Sequence, residues 1–303
     1  MATGRGGTPE LLKRLTYAIF RLGDRAGVHV LPKHFYTPVP DLARLRSTRA
    51  LWQRPIALDC DADAQLGWLR TVCGEHLPEV AGLHAYRRIA DSGVGPGFGE
   101  IESQVLHCFI RSQRPERVVE VGIGCSTAVM LAASARGERP TRLTCIDPRP
   151  RPHFRRLAEQ VELIQEPVQA VPLGVFGRLR AGDLLFLDSS HALKTGSELP
   201  MLYLEVVPRL PPGVYVHIHD ITLPYLYNSR VLSTYLDWQE SVLVAALLTG
   251  NSRLRMLCCQ SLLHHERPEA LRGILPDYRP RPMVAGLDAG TGHLPSSLWL
   301  QTV

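Results

Sequence analysis

Val118-Val119-Glu120-Val121-Gly122-Ile123-Gly124-Cys125-Ser126-Thr127 is the stretch on which the reading of the fold turns. Four residues suited to a buried strand run into two glycines, and a helix-forming run to Ala132 follows. Glycines at such a bend let backbone N–H groups come close to a ligand at a helix start. Asp147, in Cys145-Ile146-Asp147-Pro148, lies 25 residues after Gly122. That is near the ~20-residue spacing of a carboxylate that binds ribose hydroxyls. Glu120, just before the bend, would repel a pyrophosphate and attract a sulfonium nucleoside that carries an ammonium group. Thr127 stands where a dinucleotide-binding loop has its third glycine. Both features favour S-adenosylmethionine over a nicotinamide dinucleotide.

Outward from the bend, short apolar runs alternate with helical patterns. Strands are expected at 118–121, 143–146, 161–164, 184–187, 214–219, 254–258 and 298–300. Helices are expected at 99–112, up to 132, at 154–160, 199–210 and 238–248. Alternation of this kind implies a mostly parallel sheet covered on both faces. The expected class is α/β, a doubly wound, Rossmann-like sheet of seven strands, with its ligands at the carboxyl ends of the strands. The first 95 residues differ, with helical patches at 11–22, 62–73 and 80–89 between proline-rich stretches. Asp91-Ser92-Gly93-Val94-Gly95-Pro96-Gly97 punctuates the chain strongly. A mainly helical extension over 1–95, serving as lid or oligomer contact, and a cofactor-binding domain over 96–303 are therefore expected.

Two strand ends gather chemistry. The fourth runs into Leu187-Asp188-Ser189-Ser190-His191, with Lys194 beyond, and the fifth into His217-Ile218-His219-Asp220. If these strands are neighbours, Asp188, His191, His219 and Asp220 share one cleft. Imidazole with carboxylates suits a divalent metal or a general base. His191 has a natural pKa near neutrality and suits proton removal, and Lys194 is a second catalytic candidate.

Val118 to Ser126 resembles motif I of the class I methyltransferases, and Ile146-Asp147-Pro148 resembles motif II. The resemblance implies S-adenosylmethionine as cofactor, held by Glu120, Gly122, Gly124, Ser126, Thr127, Asp147 and Asp188. Glu166-Pro167-Val168-Gln169 is similar to the segment that meets the adenine ring in small-molecule O-methyltransferases, which implies Val168 on the ring and Gln169 at its edge. The Asp-x-x-His pattern followed by His219-Asp220 resembles the metal-dependent members. It implies Asp188, His219 and Asp220 as ligands of Mg2+ or another divalent metal, and His191 as base. His219 departs from that family, which usually has a carboxylate there. His34-Phe35-Tyr36-Thr37-Pro38 also has counterparts among similar bacterial methyltransferases. The implied activity is methyl transfer to a hydroxyl of a small molecule, a sugar or a product of secondary metabolism. The alternative on the same fold is a metal-dependent hydroxylase or other enzyme without methyl transfer.

Bulk properties restrict the remaining classes. The chain has 303 residues, 45% hydrophobic and 21% charged, with a net charge of +5. Its bases are nearly all arginine and do not cluster among aromatics, so no nucleic-acid surface is expected. The longest apolar runs are too short to cross a bilayer, and no signal peptide opens the chain. Seven cysteines without a C-x-x-C pair fit reduced thiols in a cytoplasmic protein. A small-molecule acceptor and a homo-oligomer are the expected partners.

Overall fold

A computed structural model describes residues 7–31, 37–47, 58, 60–91, 97–232, 234, 236–284 and 287–303. By contacts the chain divides into Met1–Arg49 and Ala50–Val303.

The first unit holds α1 (Gly7–Arg25) and α2 (Leu42–Ser47). α1 ends where Gly27 turns left-handed at φ 75°. There the Val28 and Gly27 N–H groups donate to the Gly23 and Asp24 carbonyls, capping the last turn. Residues 34–36 of the N-terminal motif lie outside the described residues.

The second unit begins with α3 (Ala62–Cys73), whose N-cap Asp61 accepts the Asp63 and Ala64 N–H groups. α4 (His84–Ile89) and α5 (Glu100–Gln113) follow. The division of contacts falls at residue 49 and leaves α3 in the second unit. The cause is burial: Leu66, Leu69 and Val72 of α3 have no exposed surface to speak of, and the helix packs on α5 and the sheet.

The alternating part then runs β1 (Arg117–Val121), α6 (Cys125–Ser134), β2 (Arg142–Ile146), α7 (Arg155–Ala158), β3 (Glu162–Ile164), β4 (Leu184–Leu187), α8 (Leu199–Met201), β5 (Tyr215–Ile218), α9 (Glu240–Leu248) and β6 (Leu254–Cys259). After α10 (Gln260–Glu266) and α11 (Pro268–Ile274) comes a small hairpin of β7 (Met283–Val284) and β8 (Leu287–Asp288), then β9 (Leu298–Thr302). The main sheet has the order β3-β2-β1-β4-β5-β9-β6. All its pairings are parallel except the two made by β9, which lies antiparallel between β5 and β6. The expected seven-stranded, mostly parallel sheet is therefore present. Strands buried on both faces explain their unbroken apolar runs, such as Leu184-Leu185-Phe186-Leu187.

The core is accordingly double. Val118, Leu184 and Phe186 face α3, α5 and α6, whereas Val119, Val121, Leu185 and Leu187 face the 199–210 segment and α9. That segment, expected as one helix, changes pitch twice. α8 widens to a π-turn over Leu202–Val206 and tightens to a 3-10 turn over Val207–Arg209. Pro208 has no N–H to continue an α-helical ladder. Strand order reverses between β1 and β4, and a crevice opens at their carboxyl ends, as the topology requires.

Candidate active site

Gly122 is the hinge of this crevice. Its φ is 112°, and a Cβ there would stand 2.9 Å from the Asp188 carbonyl oxygen. The two strand ends are thus as close as glycine permits, and a side chain would both strain the backbone and force them apart. The Gly122 N–H donates to the Ile146 carbonyl, and the Asp188 N–H to that of Val121. A cleft of about 270 Å³ runs along the bend, bounded by Glu120, Gly122, Gly124, Ser126, Asp147 and Asp188. Six of the nine residues expected to hold a cofactor are brought together there.

Glu120 is buried beneath the bend. It accepts the Ser126 hydroxyl at 2.5 Å, the Thr127 hydroxyl at 2.6 Å and the Cys145 thiol at 3.3 Å. Burial raises its pKa and these donors lower it, leaving it at about 7. Thr127 lies behind the cleft rather than on it. It passes a hydrogen bond to Glu120 and takes one from the Gly124 N–H at 2.9 Å, which caps α6. Asp147 is half-buried at the end of β2 and accepts the Arg149 N–H at 2.7 Å. Val168 and Gln169 do not border this cleft. Val168 is packed in the core, and the Gln169 amide donates to the Gly196 carbonyl at 2.9 Å. The aromatic surface on the cleft belongs instead to Phe154 and Phe98, which no periodic pattern singles out.

β4 and β5 are neighbours, as expected, and bring Asp188, His191, His219 and Asp220 together. His191 is buried. Its Nδ1 lies 2.7 Å from Glu240 Oε2, and its Nε2 lies 3.4 Å from Asp188 Oδ1 and 3.7 Å from Asp220 Oδ2. Burial disfavours the charged ring, but the three carboxylates outweigh it and lift the pKa to about 10. The shift is upward from the near-neutral value of a free imidazole. Glu240 Oε1 in turn accepts the Tyr203 hydroxyl at 2.6 Å. Lys194 is exposed in a turn, where its N–H donates to the Ser197 hydroxyl.

Asp188, His219 and Asp220, the expected metal ligands, lie at one end of the sheet with the His191 ring among them. His219 is buried against the Phe98 ring, with centroids 4.7 Å apart. Its Nδ1 has no hydrogen-bond partner, and its Nε2 is 3.8 Å from Asp220 Oδ1. That Asp220 oxygen accepts the Ser296 hydroxyl. Between Asp188 and Asp220 stands the His191 ring. Among the described residues no group of three or more His, Cys, Asp or Glu side chains could hold a metal ion. This donor set does not fit a divalent cation. Behind it, buried Glu102 accepts the Ser296 N–H and hydroxyl, and His217 Nε2 lies 2.8 Å from the Ser297 hydroxyl. Glu102 was missed from sequence because it lies inside an ordinary helical pattern.

The chain thus combines a doubly wound sheet with a reversed last strand, a carboxylate-flanked glycine bend and an acidic second strand end. Residues 119–221 match the family model described as a methyltransferase domain, so the chain carries such a domain. The chain is 27% identical over 163 residues to an uncharacterized protein of Archaeoglobus fulgidus, a match that covers 49% of this chain and 72% of that one. Among solved structures it is similar to the methyltransferase PaMTH1 of Podospora anserina, solved with SAH bound, at 13% identity and a TM-score of 0.40. That match covers 90% of this chain and 98% of the other. It is also similar to a methyltransferase of Geobacter sulfurreducens, at 17% identity, a TM-score of 0.38, and coverage of 88% and 98%.

Proposed function

We propose that the protein transfers a methyl group from S-adenosylmethionine to a hydroxyl of a small molecule, a sugar or a product of secondary metabolism. The observation that carries this reading is the continuity of the glycine-bend cleft with the acidic ends of β4 and β5 through one residue, Asp188. It borders the cleft and also lies 3.4 Å from His191. The residues fit the cofactor. Gly122 leaves room that a Cβ would fill, Asp147 is placed for a ribose, and ionised Glu120 suits a cationic nucleoside. Bound S-adenosylmethionine supplies an electrophilic methyl whose sulfonium leaves without activation.

The chain's own part is alignment and proton removal. Near-attack alignment is worth roughly 7–11 kcal/mol in well-oriented systems. Asp188 and Asp220 are the exposed acids at this end, their side chains 27% and 28% accessible. They hold the acceptor hydroxyl, and one of them takes its proton as the C–O bond forms. His191, expected as base from sequence, stands between that pair, its Nε2 3.4 Å from Asp188 Oδ1 and 3.7 Å from Asp220 Oδ2. Residues 1–95 supply a lid or an oligomer contact, and the seven free thiols favour a cytoplasmic setting.

Calorimetry with S-adenosylhomocysteine tests the reading. A dissociation constant on the order of a micromolar, about −8 kcal/mol, is expected. Asp147→Ala should weaken it more than about tenfold, the loss of one charge-assisted hydrogen bond. Unchanged affinity in that variant removes the ribose assignment, and no binding by the unaltered protein removes the function.

A further inference from the structure

His191 is fixed from three directions. Its backbone is left-handed, at φ 59°, a conformation that a non-glycine residue keeps only when its surroundings impose it. Its carbonyl accepts the Gln239 and Glu240 N–H groups at 3.1 and 3.3 Å, which ties it to the first turn of α9. Its ring packs on Trp238, with centroids 4.7 Å apart. Glu240 completes the hold. It is 2% exposed, and its two oxygens are shared between His191 Nδ1 and the Tyr203 hydroxyl. A carboxylate so buried is retained only with full pairing. Here the pairing aims His191 Nε2 into the gap between Asp188 and Asp220.

We infer that Glu240, held by Tyr203, is a positioning residue that seats the His191 ring between Asp188 and Asp220, where it takes the place of a divalent metal at the acceptor end. Two carboxylates that face one gap repel each other unless something donates to both. In metal-dependent chemistry the ion does this; here the ring stands between them, its Nε2 3.4 Å from Asp188 Oδ1 and 3.7 Å from Asp220 Oδ2. The seating stands on geometry alone. Its consequence, that the acceptor is aligned by side chains without a metal, rests on the proposed methyl transfer.

The test uses the full chain after EDTA dialysis, with Mn2+ as the probe. By electron paramagnetic resonance, unaltered protein should show no saturable Mn2+ uptake up to about 1 mM, the range of weak oxygen-ligand sites. His191→Ala, which empties the gap between two carboxylates, should take up one equivalent. Equal uptake by the two proteins, whether strong or nil, overturns the inference. A second measurement addresses Glu240. The ring proton on Nδ1 of His191, identified by its loss in His191→Ala, should exchange slowly in the unaltered protein and vanish from the spectrum of Glu240→Gln. Tyr203→Phe, which keeps the ring volume, should speed its exchange by about tenfold, the worth of one hydrogen bond. Unchanged exchange in both variants overturns the positioning role. S-adenosylhomocysteine affinity in the same samples separates the two readings, because its absence removes the function and leaves the seating intact.

Discussion

At Glu120 a single proton governs the charge of the cofactor cleft. Its pKa is pushed up to about 7, above the ordinary carboxylate range, because burial outweighs three donors. Above that pH the group is an anion and attracts a cationic nucleoside; below it the attraction is lost. Affinity for S-adenosylhomocysteine, whose amino group is charged, should therefore strengthen as pH rises through about 7, by at most about tenfold per unit for one proton. Calorimetry across pH 5.5–8.5 checks this, and Glu120→Gln should flatten the curve. His191 works in the opposite sense. Its folded pKa of about 10 exceeds the ordinary 6.5, so its stabilising contribution is complete below about 6.5 and is lost as pH rises through 10. Urea unfolding at pH 7 and pH 10 should show the unaltered protein losing more stability than His191→Asn. The cleft acids were legible in sequence because each lies in or just after a strand whose apolar residues mark it. Glu240 was not. It lies 49 residues from His191, and a glutamate at a helix start ordinarily reads as a solvated charge beside the dipole.

At the scale of elements, strands were easier to read than helices. The unbroken apolar run 184–187 located β4, since burial on both faces leaves no polar interruption, and β1 and β6 were located within a residue although Glu120 and Arg255 interrupt them. The 199–210 segment shows the limit: its apolar periodicity announced a helix, but not the changes of pitch around Pro208. The 7-residue helices α10 and α11 escaped notice because they are too short for a periodicity to develop. β9 binds the far side of the sheet through one residue above all. Trp299 is fully buried, with ring centroids 4.4 Å from Phe109, 4.6 Å from His217 and 5.8 Å from Trp68. Its indole N–H has no partner, so its contribution is packing alone. Trp299→Ala should cost about 3–5 kcal/mol in urea unfolding. A change under 1 kcal/mol would show that β9 is held mainly by its backbone.

For the whole molecule, every residue placed at the cleft or at the acceptor end lies between 97 and 297, within the second unit. Deletion of residues 1–47 should therefore leave S-adenosylhomocysteine affinity within about twofold, as expected of a unit with its own core. Turnover, once an acceptor is found, should fall if those residues form a lid. Proline and glycine clusters mark breaks in secondary structure, not in packing, and the apolar face of α3 packs on α5 and the sheet.

The reversed strand has a bearing on how the chain is made. β9 comes last in order yet lies inside the sheet, between β5 and β6. Until residues 298–302 leave the ribosome, two strands present bare peptide groups to one another across a vacant slot, and no local contact can close it. Such edges invite pairing with other chains. The nascent chain thus keeps these edges bare until residues 298–302 are made, and a stop before residue 298 would leave an aggregation-prone edge on an otherwise assembled sheet.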